Sequence, residues 1–291
     1  DGADFRSAYP INLIPVPKDT GLSAGYLRPA DGIITLADGG GANRGGYRWR
    51  GVHYRVMGNS LLSVAVDGSF TTVGTIAGTD WVVFDESFDY LAINGGGLLY
   101  LYDGTTLTQV TDPDLGTSLD MVWINGYFVS TDGAFLISSD INDPFSYNIL
   151  RYASSEISPD PVVALQKIRN EIYALNRYTV EVFGAVTNPG EGFPFARIEG
   201  AQIMKGAVGS RACCEFMQAL AFVGGGVNDP PSVWMGASAQ ASKISTRDID
   251  AILRGYTDIT LSALVMESRP DLGHEFLYVH LPDQTLVYDG G

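Results

Sequence analysis

Short apolar runs broken by Asn-Gly, Asp-Gly and Gly-Gly pairs recur along the whole chain. Two stretches are near copies of one another. Tyr54-Arg-Val-Met-Gly-Asn leads to Ser63-Val-Ala-Val-Asp67-Gly68, and Tyr90-Leu-Ala-Ile-Asn94-Gly95 leads to Tyr100-Leu-Tyr102-Asp103-Gly104. Looser versions begin near Tyr127, Tyr173, Ala221 and Phe276, the last closing on Val287-Tyr288-Asp289-Gly290. The repeat distance is roughly 36–55 residues, the size of a four-stranded propeller blade. The expected fold is therefore all-β, a β-propeller of six or seven four-stranded blades.

The second unit shows the pattern best, with runs at Trp81–Phe84, Tyr90–Ile93, Leu98–Tyr102 and Leu107–Val110. Asn94-Gly95 and Asp103-Gly104 separate the last three, and both pairs suit type I′ turns that need positive φ. Asp67-Gly68 and Asp132-Gly133 predict comparable turns in the first and third units. One helix is expected near residues 247–254. Ser245-Thr-Arg-Asp248 reads as a capping box, and Ile249, Ile252, Leu253 and Tyr256 share one helical face. That face is expected to seal the ring between two blades.

The N-terminal segment carries Pro10, Pro15 and Pro17, which withhold ladder donors. It predicts an extended arm over residues 1–24, with the propeller over 25–291. Ile33 to Leu36 is a spare strand. Either it completes the sixth unit, or sequence beyond residue 291 supplies a seventh.

Thirty-five glycines, 14 prolines and 18% charged residues agree with many short strands and tight turns. A net charge of -15 argues against wrapping of a phosphate backbone by counterion release. The only cysteines, Cys213 and Cys214, are adjacent, so two reduced thiols are expected. No apolar run approaches the ~20 residues that span a bilayer, and the chain reads as soluble.

Candidate chemistry is sparse. His274 and His280 are too far apart along one strand to share a metal, and His53 lies elsewhere. The glycine runs lack the Gly-Lys-Ser/Thr ending of a phosphate cradle. Ser138-Ser-Asp140-Ile-Asn142-Asp-Pro144-Phe145 resembles the Asp-box turn of sialidase-type propellers, with Asn for Gly and Phe for Trp. Acidic neighbours such as Asp85-Glu86, Asp112 with Asp114, and Asp248 with Asp250 read as mostly solvated. No catalytic, cofactor-binding or metal-binding residue is assigned, and an interaction protein is favoured over an enzyme. The alternative is a glycan-binding or sialidase-type propeller.

Ordered short motifs then carry a resemblance. They run from Gly25-Tyr26-Leu27-Arg28, Arg44-Gly45, Tyr54-Arg55-Val56 and Tyr102-Asp103-Gly104 through Lys205-Gly206, Pro231-Ser232-Val233 and Gln240-Ala241-Ser242. They end with Ile252-Leu-Arg254-Gly-Tyr256-Thr257, Val265-Met266-Glu267, His274-Glu275, His280-Leu281-Pro282 and Leu286-Val-Tyr288-Asp289. In this order they resemble the packaged-DNA stabilisation proteins of short-tailed, podovirus-type bacteriophages, the tail hub or head-completion proteins. The resemblance implies a virion protein of the phage tail, assembled in the host cytoplasm. It implies a homo-oligomer, a hexamer, that joins beneath the portal and its adaptor ring after DNA packaging. Such a hub retains the genome and gives a platform for tail needle and tailspike, while DNA passes through without sequence-specific binding. It also implies a family that continues past residue 291. An acidic lumen that repels sliding phosphate is one expected use of the charge.

Overall fold

The computed structural model describes residues 10–16, 26–237, 239–271 and 273–290. Six antiparallel sheets follow one another, over residues 43–75, 83–109, 120–154, 162–197, 206–243 and 265–289, and are numbered here as blades 1 to 6. The first strand of each blade, or Cys213–Phe216 in blade 5, lies beside its counterpart in the next from blade 1 to blade 6, which places these inner strands around a common axis. The repeated hairpin forms the second and third strands of each blade, as in Val52–Met57 with Ser60–Val64 and His274–His280 with Thr285–Asp289, except in the five-stranded blade 5, where it forms the third and fourth. The expected propeller is present, with six blades.

Five seams between blades are filled by interdigitated apolar side chains. Val56 and Leu61 meet Leu91 and Ile93 between blades 1 and 2. Leu99 and Leu101 meet Met121 and Phe128 between blades 2 and 3. The series continues with Val129 and Ile172, with Val182 and Phe222, and with Val223 and Leu277. Each fully buried large aliphatic side chain contributes roughly 1.5–3 kcal/mol, so these seams dominate the stability. Among the described residues, no such cluster joins blade 6 to blade 1.

Blade 6 has three strands, Val265–Asp271, His274–His280 and Thr285–Asp289. The spare-strand expectation is corrected, because residues 33–36 join no sheet and Ile33 is fully exposed. Leu36 instead lies over the turn glycine Gly68 of blade 1. Much of the expected arm, residues 1–9 and 17–24, lies outside the described residues. Its described part supplies the strand Leu13–Val16, which pairs with Tyr26–Pro29, and Arg28 of the latter strand bonds to Asp271 of blade 6 at 2.9 Å.

Two local expectations shift. In blade 2 the hairpin turn is Gly96-Gly97, both at positive φ, while Asn94-Gly95 ends the strand Leu91–Gly95 and Asn94 is buried. The Asp-Gly turns are not type I′, since only the glycine takes positive φ. Their aspartates act as side-chain acceptors instead: Asp103 Oδ1 receives the Thr105 and Thr106 N–H groups, each at 2.7 Å. These bonds to the charged form hold the Asp103 carboxyl below its ordinary range.

The expected helix, α1, spans Arg247–Arg254. Its N-cap is Thr246 rather than Ser245, whose hydroxyl donates to Asp250 at 2.6 Å and accepts from Val233 N–H at 3.0 Å. Leu253 is fully buried, and Ile249, Ile252 and Tyr256 pack on the same cluster between blades 5 and 6. A second helix, α2, follows at Asp258–Ser262, capped by Thr257. No helix among the described residues is long and apolar enough to cross a membrane.

Candidate functional site

Polar side chains on the inner strands tie the blades together around the axis. The Asp85 carboxylate of blade 2 accepts the Trp123 N–H of blade 3 at 2.6 Å and the Lys167 ammonium of blade 4 at 2.6 and 2.9 Å. Lys167 also donates to the Trp123 carbonyl at 3.2 Å and sits 5.9 Å from its ring centroid. Asp120 of blade 3 repeats the device, accepting Leu165 N–H of blade 4 at 2.9 Å and its neighbour Met121 N–H at 2.7 Å. Arg211, entering blade 5, reaches across the axis to the Val82 carbonyl at 2.7 Å.

Asp120 is the most perturbed of these acids. Burial pushes its carboxyl up to about 7, against the pull of the two backbone donors and of Arg211. Perturbed groups cluster at functional sites, yet here each polar partner is already engaged within the protein. The axis reads as a bolted centre.

Several acids expected to be solvated serve the same purpose. Asp112 and Asp114, on the link between blades 2 and 3, accept Tyr147 N–H at 3.0 Å and Ile149 N–H at 3.3 Å. Asp250 is buried and paired with Lys243 at 2.8 Å. Glu181, fully buried, accepts Ile157 N–H at 2.8 Å and pairs with Arg197 at 3.3 Å. A surplus of acids therefore partly reflects carboxylates that satisfy N–H groups outside the ladders. The sequence signal was an Asp at the edge of an apolar run, which composition alone hid.

Arg44 was also missed as a structural group, although it stood among the resemblance motifs. Only 2% exposed, it donates to the carbonyls of Asp80 at 2.6 Å, Ala77 at 2.6 Å, Gly58 at 3.0 Å and Ile76 at 3.2 Å. Burial pulls its pKa below the ordinary arginine value. A planar fork that meets four backbone carbonyls explains why this position needs arginine rather than lysine.

The Asp-box-like segment forms a hairpin turn. Asn142 takes φ 55, Asp140 receives the Ser146 hydroxyl at 2.7 Å and is ion-paired with Arg151, and Phe145 stacks edge-on to Tyr90 at 5.7 Å. His274 pairs with Asp289 at 3.0 Å and His280 with Glu267 at 3.1 Å, so the two rings serve separate contacts. Among the described residues, no group of three potential ligands is placed to hold a metal. Both cysteines are free thiols. Burial raises the Cys213 pKa strongly and that of Cys214 to about 12, far from a reactive thiolate.

A cleft of about 530 Å³ lies between blades 6 and 1, lined by Arg55, Trp81, Arg211, Leu264, His280 and Leu281 among others. Its walls come from blade 1, the α2 exit and blade 6.

A family model described as Bacteriophage P22 Gp10, beta-propeller, matches residues 1–291. The chain belongs to this P22 Gp10 propeller family. The tail hub protein gp10 of Salmonella phage P22 is 29% identical over 313 aligned positions, covering 99% of this chain. The chain spans 64% of that relative's length. Among solved structures, the extracellular domain of a putative hybrid two-component system from B. thetaiotaomicron matches at TM-score 0.55 and 13% identity, covering 84% of this chain and 32% of that one. The extracellular domain of a putative one-component system from the same organism matches at TM-score 0.52 and 10% identity, over 84% and 32%. These two likenesses concern the propeller fold alone.

Proposed function

We propose that this Gp10-family propeller is a structural part of a phage tail hub. The observation that carries the reading is the similarity to the P22 tail hub protein along 99% of the chain. The bolted axis supports it, since the polar side chains that would line a catalytic funnel are engaged here in holding blades together. In this reading the chain is not an enzyme. Copies associate as a ring, a hexamer, beneath the portal and adaptor, retain the packaged genome and carry tail needle and tailspike.

Lys167 and Arg211 occupy the propeller's own centre, so the DNA path runs through the ring of copies rather than through one propeller. Acidic rims facing that path repel phosphate and let the duplex slide. The arm over residues 1–24 contacts neighbouring subunits or the adaptor. Imaging the full chain with portal–adaptor complexes tests the reading: a ring docked beneath the adaptor is expected. Failure to dock, with a folded chain, overturns it.

The glycan-directed alternative rests on the Asp-box-like turn and the surplus of aromatics, and that turn's Asp140 is engaged by Ser146 and Arg151.

A further inference from the structure

The hairpin turns of blades 2, 3 and 4 meet around a recess of about 530 Å³. That volume lies within the range of ligand pockets, roughly 300–1,000 Å³. The recess is lined by Phe88, Trp123, Asn125, Asn142, Arg169 and Asn170, with Lys167 beside the Trp123 ring. A narrower hollow next to it shares Phe88, Trp123 and Asn142 and adds Asp89. The Phe88 and Trp123 rings lie 5.2 Å apart at 81°, which makes a two-sided apolar corner. Phe88 is 81% exposed.

The fold sets the shape of this corner. Lys167 spends its ammonium donors on both Asp85 oxygens and on the Trp123 carbonyl, which fixes the strand that carries the indole. Arg50 donates to the Phe88 carbonyl, and Tyr90 N–H donates to Ser87 Oγ at 3.0 Å across the same turn. Asn142 N–H donates to the Gly126 carbonyl at 2.8 Å, joining two of the turns. Asn125, Asn142 and Arg169 all take positive φ, at 52°, 55° and 58°. Asparagine tolerates that region, whereas arginine enters it at a cost, and backbone held this way gathers at ligand sites.

The lining combines three kinds of group that one ligand chemistry uses together. Among the described residues, the amides of Asn125, Asn142 and Asn170, the Trp123 indole N–H and the Arg169 guanidinium form no bond within the protein. Lys167 and Asp85 offset each other, so the cation left for a ligand is Arg169. The Asp89 carboxylate lines only the narrower hollow. Each amide presents a donor and an acceptor side by side, which suits neighbouring hydroxyls. A pyranose has an apolar C–H face for the aromatic corner and hydroxyls at its rim. A planar guanidinium grips a carboxylate with two parallel bonds. A peptide strand fits less well, because Phe88, Asn125, Asn142, Arg169 and Asn170 lie in turns and offer no open ladder edge.

We propose that this recess binds an acidic sugar, a pyranose that carries a carboxylate. The ring packs into the Phe88–Trp123 corner, Asn125 and Asn170 bond its hydroxyls, and Arg169 takes the carboxylate. A free uronic acid and a uronate within a polysaccharide offer this same chemistry. The binding goes beyond the hub reading and does not depend on it. Nor does it need the engaged Asp140, since only Asn142 of that turn lines the recess.

The test follows the indole N–H signals of the four tryptophans by NMR in the full chain, with Trp123→Phe identifying the reporter. Methyl glucuronide is expected to move the Trp123 signal saturably and to leave those of Trp49, Trp81 and Trp234 in place. Methyl glucoside, which lacks the charge, is expected to bind about fivefold or more weakly, and Arg169→Gln to erase that difference. Asn170→Ala is expected to weaken both sugars about threefold or more. Both substitutions fall on exposed turn positions and should leave the thermal midpoint unchanged. A Trp123 signal that ignores the glucuronide overturns the site. An equal response to sodium acetate does so too, because it reports an anion alone, as does a glucuronide preference that survives Arg169→Gln. A hyaluronate tetrasaccharide that binds as tightly as the monosaccharide identifies a polysaccharide source, and its exclusion identifies a free sugar, both upholding the recess. A chain that docks beneath the adaptor and ignores every sugar keeps the hub reading and loses only this site.

Discussion

Lys167 Nζ lies 2.6 Å from Asp85 Oδ1, joining the inner strands of blades 4 and 2 over the top of blade 3. The partners are unequally buried, the Lys167 side chain 37% exposed and that of Asp85 only 9%. Removing the lysine lets water reach one side of the carboxylate. Removing the acid strands the Trp123 N–H and leaves the ammonium with its bond to the Trp123 carbonyl but no anion. Lys167→Met is therefore expected to cost about 1 kcal/mol and Asp85→Ala about 2–3 kcal/mol, read by urea unfolding. Equal costs would show that the Trp123 bond adds nothing.

Asp120 gives a pH dependence with a definite sign. An unfolded aspartate titrates near ~3.9, whereas burial holds the folded carboxyl up to about 7. The folded state keeps the proton across that window, so this contribution is whole below about pH 4 and is lost as pH rises through about 7. Its slope reaches at most about 1.4 kcal/mol per pH unit. Unfolding midpoints at pH 5 and pH 8 should differ more for the parent chain than for Asp120→Asn, whose side chain does not titrate.

Arg44→Lys should unfold blade 1 from its neighbour. A lysine reaches one or two of the four carbonyls and leaves the others buried without donors. The expected loss is about 3 kcal/mol or more. Protection of the 76–82 amides in hydrogen exchange should fall first, and a variant with unchanged protection would remove the fork from the account.

Gly224→Ala tests how closely two paired strands of blade 5 approach. A Cβ there would sit 1.8 Å from the Gly206 carbonyl oxygen, a backbone atom of the neighbouring strand. Overpacking against backbone is expected to cost about 3 kcal/mol, seen as a lower thermal midpoint. Gly51→Ala is a poor control because φ there is +84°, whereas Gly32→Ala meets nothing within 4 Å and should be silent.

The blade hairpins were legible because each is local: apolar runs a few residues apart, closed by Gly or Asp-Gly, find one another without help from the rest of the chain. Tyr54 and Tyr90 marked two of them at the right places, and Leu253 marked the buried face of α1. Turn details were less legible. Asn94-Gly95 looks like a turn in isolation, but Asn94 is drawn into the sheet by a buried bond to Ser118, and Gly96-Gly97 takes the corner.

By itself the sequence determined the repeat, the all-β class and the family, since these rest on short-range pattern and on motif order. Only the tertiary structure decided the blade count and which acids are bolts, because Asp85 and Lys167 lie 82 residues apart and meet only when three blades have stacked. It alone also showed the cleft between blades 1 and 6, because lining residues such as Arg55 and His280 lie far apart in sequence and no local pattern reports on the surface they share.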